Sequence, residues 1–171
     1  MNFGYERELL RMHATYVVIT VLLGFHGHDI RIKVLNGRNG RPIVHECVNV
    51  WVGPAHGAAV VVPTDNDGIA LIHLAAIGVD GSPGSHVSAC NGMGAIDPIF
   101  TYSDTIRITS GYSMPCQAHP PDSPWLTFSV NKVLQSGDAT ANHCGKTEAS
   151  PKAGELIFFV RPLHWWEALR N

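Results

Sequence analysis

The chain has 171 residues, of which 15% are charged and 45% hydrophobic, with 17 Gly and 11 Pro. That length suits one domain with a buried core, and the many turn formers and apolar residues exclude a disordered chain. The formal net charge is −2 and the 12 basic residues are scattered, which excludes the concentrated positive footprint of a nucleic-acid or anionic-lipid binder.

Residues 1–27 read as a signal peptide or N-terminal apolar segment. Ala14 to Phe25 carries no charge and follows Arg7 and Arg11. It is too short to cross a ~30 Å hydrocarbon core comfortably but matches the apolar region of an export signal. Glu6 and Glu8 dilute the positive start, and no Ala-x-Ala site follows. A cut after Gly24 or Gly27 puts Leu22 or Phe25 where a small residue is preferred, and a start at Met12 would remove both acids. Three readings stay open: a cleaved export signal, an uncleaved membrane anchor, and a buried first strand. The expectation is export to the periplasm or the exterior, with membrane contact only through an uncleaved segment.

From residue 28 to 162 the chain reads as strands and turns. Asp29 to Leu35 alternates, with Ile30, Ile32 and Val34 on one face and Arg31 and Lys33 on the other. Two Asn-Gly pairs follow (Asn36-Gly37 and Asn39-Gly40), a strong short hairpin signal. Pro42 lacks an N–H and belongs at the start of the next strand. That strand is expected over Ile43 to Val52, with Val44, Val48, Val50 and Val52 facing inward. Ala58 to Pro63 and Ile69 to Leu74 form a further expected pair around Thr64-Asp65-Asn66-Asp67-Gly68. Gly78 to Gly84 and Cys90 to Asp97 are loop-like. Strand patterns return at Ile99 to Tyr102, Thr105 to Thr109, Trp125 to Val133 and Glu155 to Val160. The last of these is apolar enough for a central strand. His119 to Pro124 is a stiff connector, and Leu163 to Arg170 is the best short helix, within a Trp-rich tail over 163–171. Together these predict an all-β antiparallel sandwich of about 7–9 strands with a short C-terminal helix.

The stretch Gly40-Arg41-Pro42, Val48-Asn49-Val50 and Thr64-Asp65-Asn66-Asp67-Gly68-Ile69-Ala70 resembles carboxypeptidase regulatory-like, or transthyretin-like, sandwich domains. The likeness covers residues 29 to 75. It implies an Ig-like or transthyretin-like fold and a non-catalytic module, of the kind found beside peptidases and in surface proteins. The second half looks like exported bacterial proteins of unknown function, on Gly154-Glu155-Leu156, Phe159-Val160-Arg161-Pro162 and Trp165-Trp166. Transthyretin-like hydrolases end in Tyr-Arg-Gly-Ser, whereas this chain ends Ala-Leu-Arg-Asn.

Asp65, Asp67 and Gly68 look like the start of a calcium loop, but the twelfth position, which needs a bidentate acid, is Ala76. The favoured reading is a turn with Gly68 at positive φ and an Asp capping the backbone. Of the cysteines, Cys116 and Cys144 are expected to form a disulfide. Cys47 and Cys90 either form a second bridge or leave Cys47 as a buried thiol. Cys116, His119, His143 and Cys144 also have the ligand types of a zinc site, although extended His143 and Cys144 would point to opposite faces. A cut after Gly27 would expose His28 as an amine-plus-imidazole copper chelator. Intradiol dioxygenases hold iron with two Tyr and two His on a related sandwich, and Tyr102, Tyr112 and His119 supply such types without that family's motif. His45, His73 and His86 read as ordinary strand or loop residues. In the tail, Trp165 and Trp166, with His164, are candidates for contact with a protein or glycan. The sequence therefore points to an exported binding or structural accessory domain with no cofactor expected, and its alternative is a copper or non-haem iron enzyme.

Overall fold

The computed structural model describes residues 28–53, 59–75, 90, 99–101, 103–120 and 123–163. The N-terminal apolar segment and the tail from His164 onward, with its expected helix, lie outside these residues. The elements in chain order are β1 (His28–Asn36), β2 (Cys47–Val52), β3 (Val60–Pro63), β4 (Ile69–Ala75) and β5 (Ile99–Thr101). They continue with β6 (Thr105–Ser110), β7 (Ser113–Pro115), β8 (Leu126–Ser129), α1 (Val130–Ser136), β9 (Asp138–Ala139) and β10 (Glu155–Pro162). Two sheets result. The first runs β5-β4-β1-β10-β7 with β9 also on β10, and the second runs β3-β2-β6-β8. Among the described residues no helix is long and apolar enough to cross a membrane.

Side-chain alternation decides what each sheet buries. Ile30, Ile32 and Val34 of β1, Ala70, Ile72 and Leu74 of β4, and Leu156, Phe158 and Val160 of β10 pack against Val48, Val50, Ile106, Ile108, Leu126 and Phe128 of the second sheet. β10 is buried on its other face too. Ile157 and Phe159 join Leu35 and Cys116 in a smaller cluster on the outer side of the first sheet.

Four expectations are corrected. The sheet is not purely antiparallel: β10 runs parallel to β1 and to β9, and β5 runs parallel to β4. A strand buried on both faces reads as an unbroken apolar run, the pattern of a parallel neighbour. Nor are β1–β2 and β3–β4 hairpins, because each turn carries the chain from one sheet to the other. After Asn36 the chain pairs only as an isolated bridge between Leu35 and Pro42. Farther along β1, β4 has taken that edge, from Lys33 opposite Ile69 onward. At the other crossing, Oδ1 of Asp65 accepts from the N–H groups of Asp67 (2.9 Å) and Ile69 (2.8 Å), and Gly68 sits at φ 74°.

The strand expected from Ile43 begins only at Cys47, and Val44 is 45% exposed instead of facing inward. Thr64 is the cause. Its Oγ1 donates to the Ile43 carbonyl and accepts from the Glu46 N–H, while its carbonyl accepts from the His45 N–H. The segment wraps around this hydroxyl, with His45 at φ 57°. Finally, Val130 to Val133 belongs to α1 and not to a strand. Ser129 caps the helix by accepting from the Lys132 N–H, and Gly137 ends it at φ 75°. Val130 and Val133, three residues apart, put one face into the core.

Glu46 is 2% exposed and ties β2 to the β6–β7 turn. Its Oε1 accepts from the Ser110 hydroxyl (2.7 Å) and the Tyr112 N–H (2.8 Å), and its Oε2 accepts from the Ser113 hydroxyl (2.6 Å). Glu46→Ala leaves these three part-buried donors without their acceptor and is expected to cost about 2 kcal/mol in urea unfolding. Glu46→Gln, which keeps an acceptor oxygen, should cost less than half of that.

Candidate functional site

The loop that follows β9 and carries Cys144 lies on the outer side of the first sheet, where Cys116 joins the same cluster. The two cysteines form a disulfide with Cα atoms 5.2 Å apart, and Cys47 and Cys90 form a second with Cα atoms 6.0 Å apart. Two sulfurs in one bond offer no thiolates, so the zinc set of Cys116, His119, His143 and Cys144 is replaced by a disulfide. His143 is exposed and donates its backbone N–H to the Cys116 carbonyl. His119 is half-buried, and its Nδ1 has no hydrogen-bond partner among the described residues.

That loop is held by its own polar groups. Asn142 donates from Nδ2 to the carbonyls of Gly37 and Thr147, each at 2.8 Å. Its Oδ1 accepts from the Cys144 N–H. The Thr140 hydroxyl accepts from the Phe159 N–H at 2.9 Å. Gly37 is required here by close approach, since a Cβ would come within 2.6 Å of the Cys116 Sγ. An open cleft of about 470 Å³ runs along the loop, lined by Thr140, Asn142, Thr147 and Phe159 among others. Its best polar groups are already occupied in holding the loop over Ile157 and Phe159. The cleft is a seam of the fold.

Among the described residues, the remaining expected site residues do not converge. His28 is exposed at the start of β1, beside Asp29, whose Oδ1 lies 2.8 Å from the His73 Nδ1. Tyr112 is exposed, with its hydroxyl 3.4 Å from the Cys90 carbonyl. Tyr102, His86, His164, Trp165 and Trp166 lie outside the described residues. Among the described residues no three His, Cys, Asp or Glu side chains gather as a metal site.

A different surface carries a usable chemistry. The outer face of the second sheet presents Asn49 and Trp51 from β2, Thr105, Arg107 and Thr109 from β6, and Thr127 and Ser129 from β8, all half-buried or exposed. Register places Trp51 opposite Arg107, and Arg107 opposite Thr127. Trp125, just ahead of β8, meets Trp51 edge-on, with centroids 6.0 Å apart and planes at 81°. The Arg107 guanidinium carbon lies 6.0 Å from the centre of the Trp51 ring, the outer limit of a cation–π contact. Arg107 is the one charged residue in these four strands. Among the described residues it pairs with no carboxylate.

No protein family, curated protein or solved structure matches this chain.

The outward direction of this face is legible in the sequence. If Val48, Val50 and Val52 point inward, Trp51 must point outward, and Arg107 between Ile106 and Ile108 must do the same. What alternation does not supply is the neighbour: only the β2–β6–β8 order brings Trp51, Arg107 and Trp125 together.

Two outcomes separate the loop from the face. Replacing both Cys116 and Cys144 by Ser should lower stability by about 3.5 kcal/mol, on the loop-closure account of a crosslink with separation 28. Hydrogen exchange should rise over residues 140–150. Arg107→Ala should cost no more than about 1 kcal/mol, the scale of a surface cation–π contact. A larger loss in urea unfolding would make Arg107 part of the core support.

Proposed function

We propose that this chain is an exported, non-catalytic binding module of transthyretin-like sandwich type that acts at the cell envelope or outside the cell. Two disulfides suit an oxidising compartment, and the apolar segment ahead of His28 suits export. The observation that carries the reading is the outer face of the second sheet. Two Trp rings at a right angle, a cation without a carboxylate partner among the described residues, and neutral hydroxyl and amide groups share one face of a sheet. Aromatic rings and an Arg fork are the groups that dominate recognition surfaces. A sheet face does not enclose a substrate, which favours binding over chemistry that must exclude water.

The test is co-sedimentation of the full chain with isolated cell envelopes. Wild type should pellet with them, and Trp51→Ala combined with Arg107→Ala should reduce the pelleted fraction at least about fivefold while the variant remains folded at the assay temperature, with its melting temperature lowered by only several degrees. Equal pelleting of the double variant would remove this face from the function. The tail provides the control: if Trp165→Ala and Trp166→Ala alone abolish pelleting, binding lies in the C-terminal residues.

A further inference from the structure

We infer that the Trp51–Arg107–Trp125 face binds an acidic saccharide, one whose sugar rings carry carboxylates of the uronate kind. This rests on the reading of that face as the binding surface and adds the ligand's chemistry. The argument begins with charge. β2, β3, β6 and β8 contain no Asp or Glu, and Arg107 is their one cation. Its side chain has Trp51 beside it and, among the described residues, no carboxylate. A guanidinium in that setting keeps its planar fork of donors for an incoming carboxylate, which it binds at two points.

The rest of the face narrows the class. Pyranose rings present C–H faces that pack on an indole and hydroxyls around their rim that both donate and accept. Trp51 and Trp125 stand at 81°, forming a corner in which one ring backs the ligand and the other flanks it. Thr105, Thr109, Thr127 and Asn49 place neutral hydrogen-bonding groups around that corner on neighbouring strands. From β2 across β6 to β8 is two strand spacings, about 10 Å, so the groups are spread over a short oligomer and not over one small anion. A free phosphate would use Arg107 alone and leave both rings and the threonines idle. An acidic peptide would satisfy Arg107 but brings extended backbone polar groups for which this face, pointing away from the strand edges, offers no ladder.

The probes are trigalacturonate, its methyl ester and tetraglutamate, titrated into the full chain with tryptophan fluorescence and calorimetry as readouts. Trigalacturonate should bind; the methyl ester should bind at least about tenfold more weakly, the loss expected when one charge-assisted bidentate contact is removed, and the peptide at least about tenfold more weakly because it lacks the ring faces that pack on the indoles. Arg107→Ala and Trp51→Ala should each lose about tenfold while remaining folded, with the melting temperature lowered by only several degrees, and Arg107→Lys should fall between Arg107→Ala and wild type because an ammonium lacks the fork. Raising salt should weaken the wild type and leave Arg107→Ala nearly unaffected. Methyl ester binding equal to the acid overturns the role of charge, and tetraglutamate binding equal to trigalacturonate overturns the saccharide. If no probe binds yet envelope pelleting still depends on Trp51 and Arg107, the ligand class is wrong and the binding face stands. If pelleting does not depend on them either, both readings fall.

Discussion

The parallel pairing of β1 with β10 is the constraint on which the rest of the molecule depends. It joins strands from opposite ends of the described chain, in register from Arg31 opposite Glu155 to Asn36 opposite Val160. The contacts are long-range, so the loop-closure entropy between them must be offset by burial. β10 supplies it. Leu156, Phe158 and Val160 enter the main core, and Ile157 and Phe159 enter the outer cluster. The strands beside this pair are then placed by which of its edges remains open. β4 takes the far side of β1, while β9 and β7 share the far side of β10.

An outward-facing Phe159 next to Ile157 needs a roof, and this explains the loop that follows β9. The segment after β9 crosses over these side chains. It is pinned by the Cys116–Cys144 bridge, by Asn142 on the Gly37 carbonyl, and by Thr140 on the Phe159 N–H. The turn after β1 is part of the same arrangement, because a side chain at Gly37 would collide with the bridge. Gly37 thus serves packing. Gly40, at φ 71°, is the turn residue that uses the conformational freedom of glycine. One feature of β10, apolar side chains in both directions, accounts for the loop, the disulfide and the glycine together.

The second sheet has the opposite character. Its inner face is aliphatic and aromatic, and its outer face is neutral and polar around two Trp rings and Arg107. In the first sheet, part of the outer face is a second core. In the second, the outer face presents a neutral, polar surface with one cation, so the two sheets differ in what covers their outer sides.

The amino-acid sequence by itself determined the β class, the inward and outward faces of β1, β4 and β6, the central position of the Glu155–Val160 run and the turn at Asp65–Gly68. These follow from alternation and turn chemistry, which are local. It also holds two weaker signals: Ser129 and Gly137 bracketing Val130 and Val133 as a short helix, and Trp51 facing outward. Only the tertiary structure decided that the Asn-Gly and Asn-Asp-Gly turns cross between sheets, that β10 pairs in parallel with β1, and that Trp51, Arg107 and Trp125 meet. Periodicity states which face a side chain takes and is silent on which strand will lie beside it. That choice is made by long-range competition for strand edges, and the strand buried on both faces wins it.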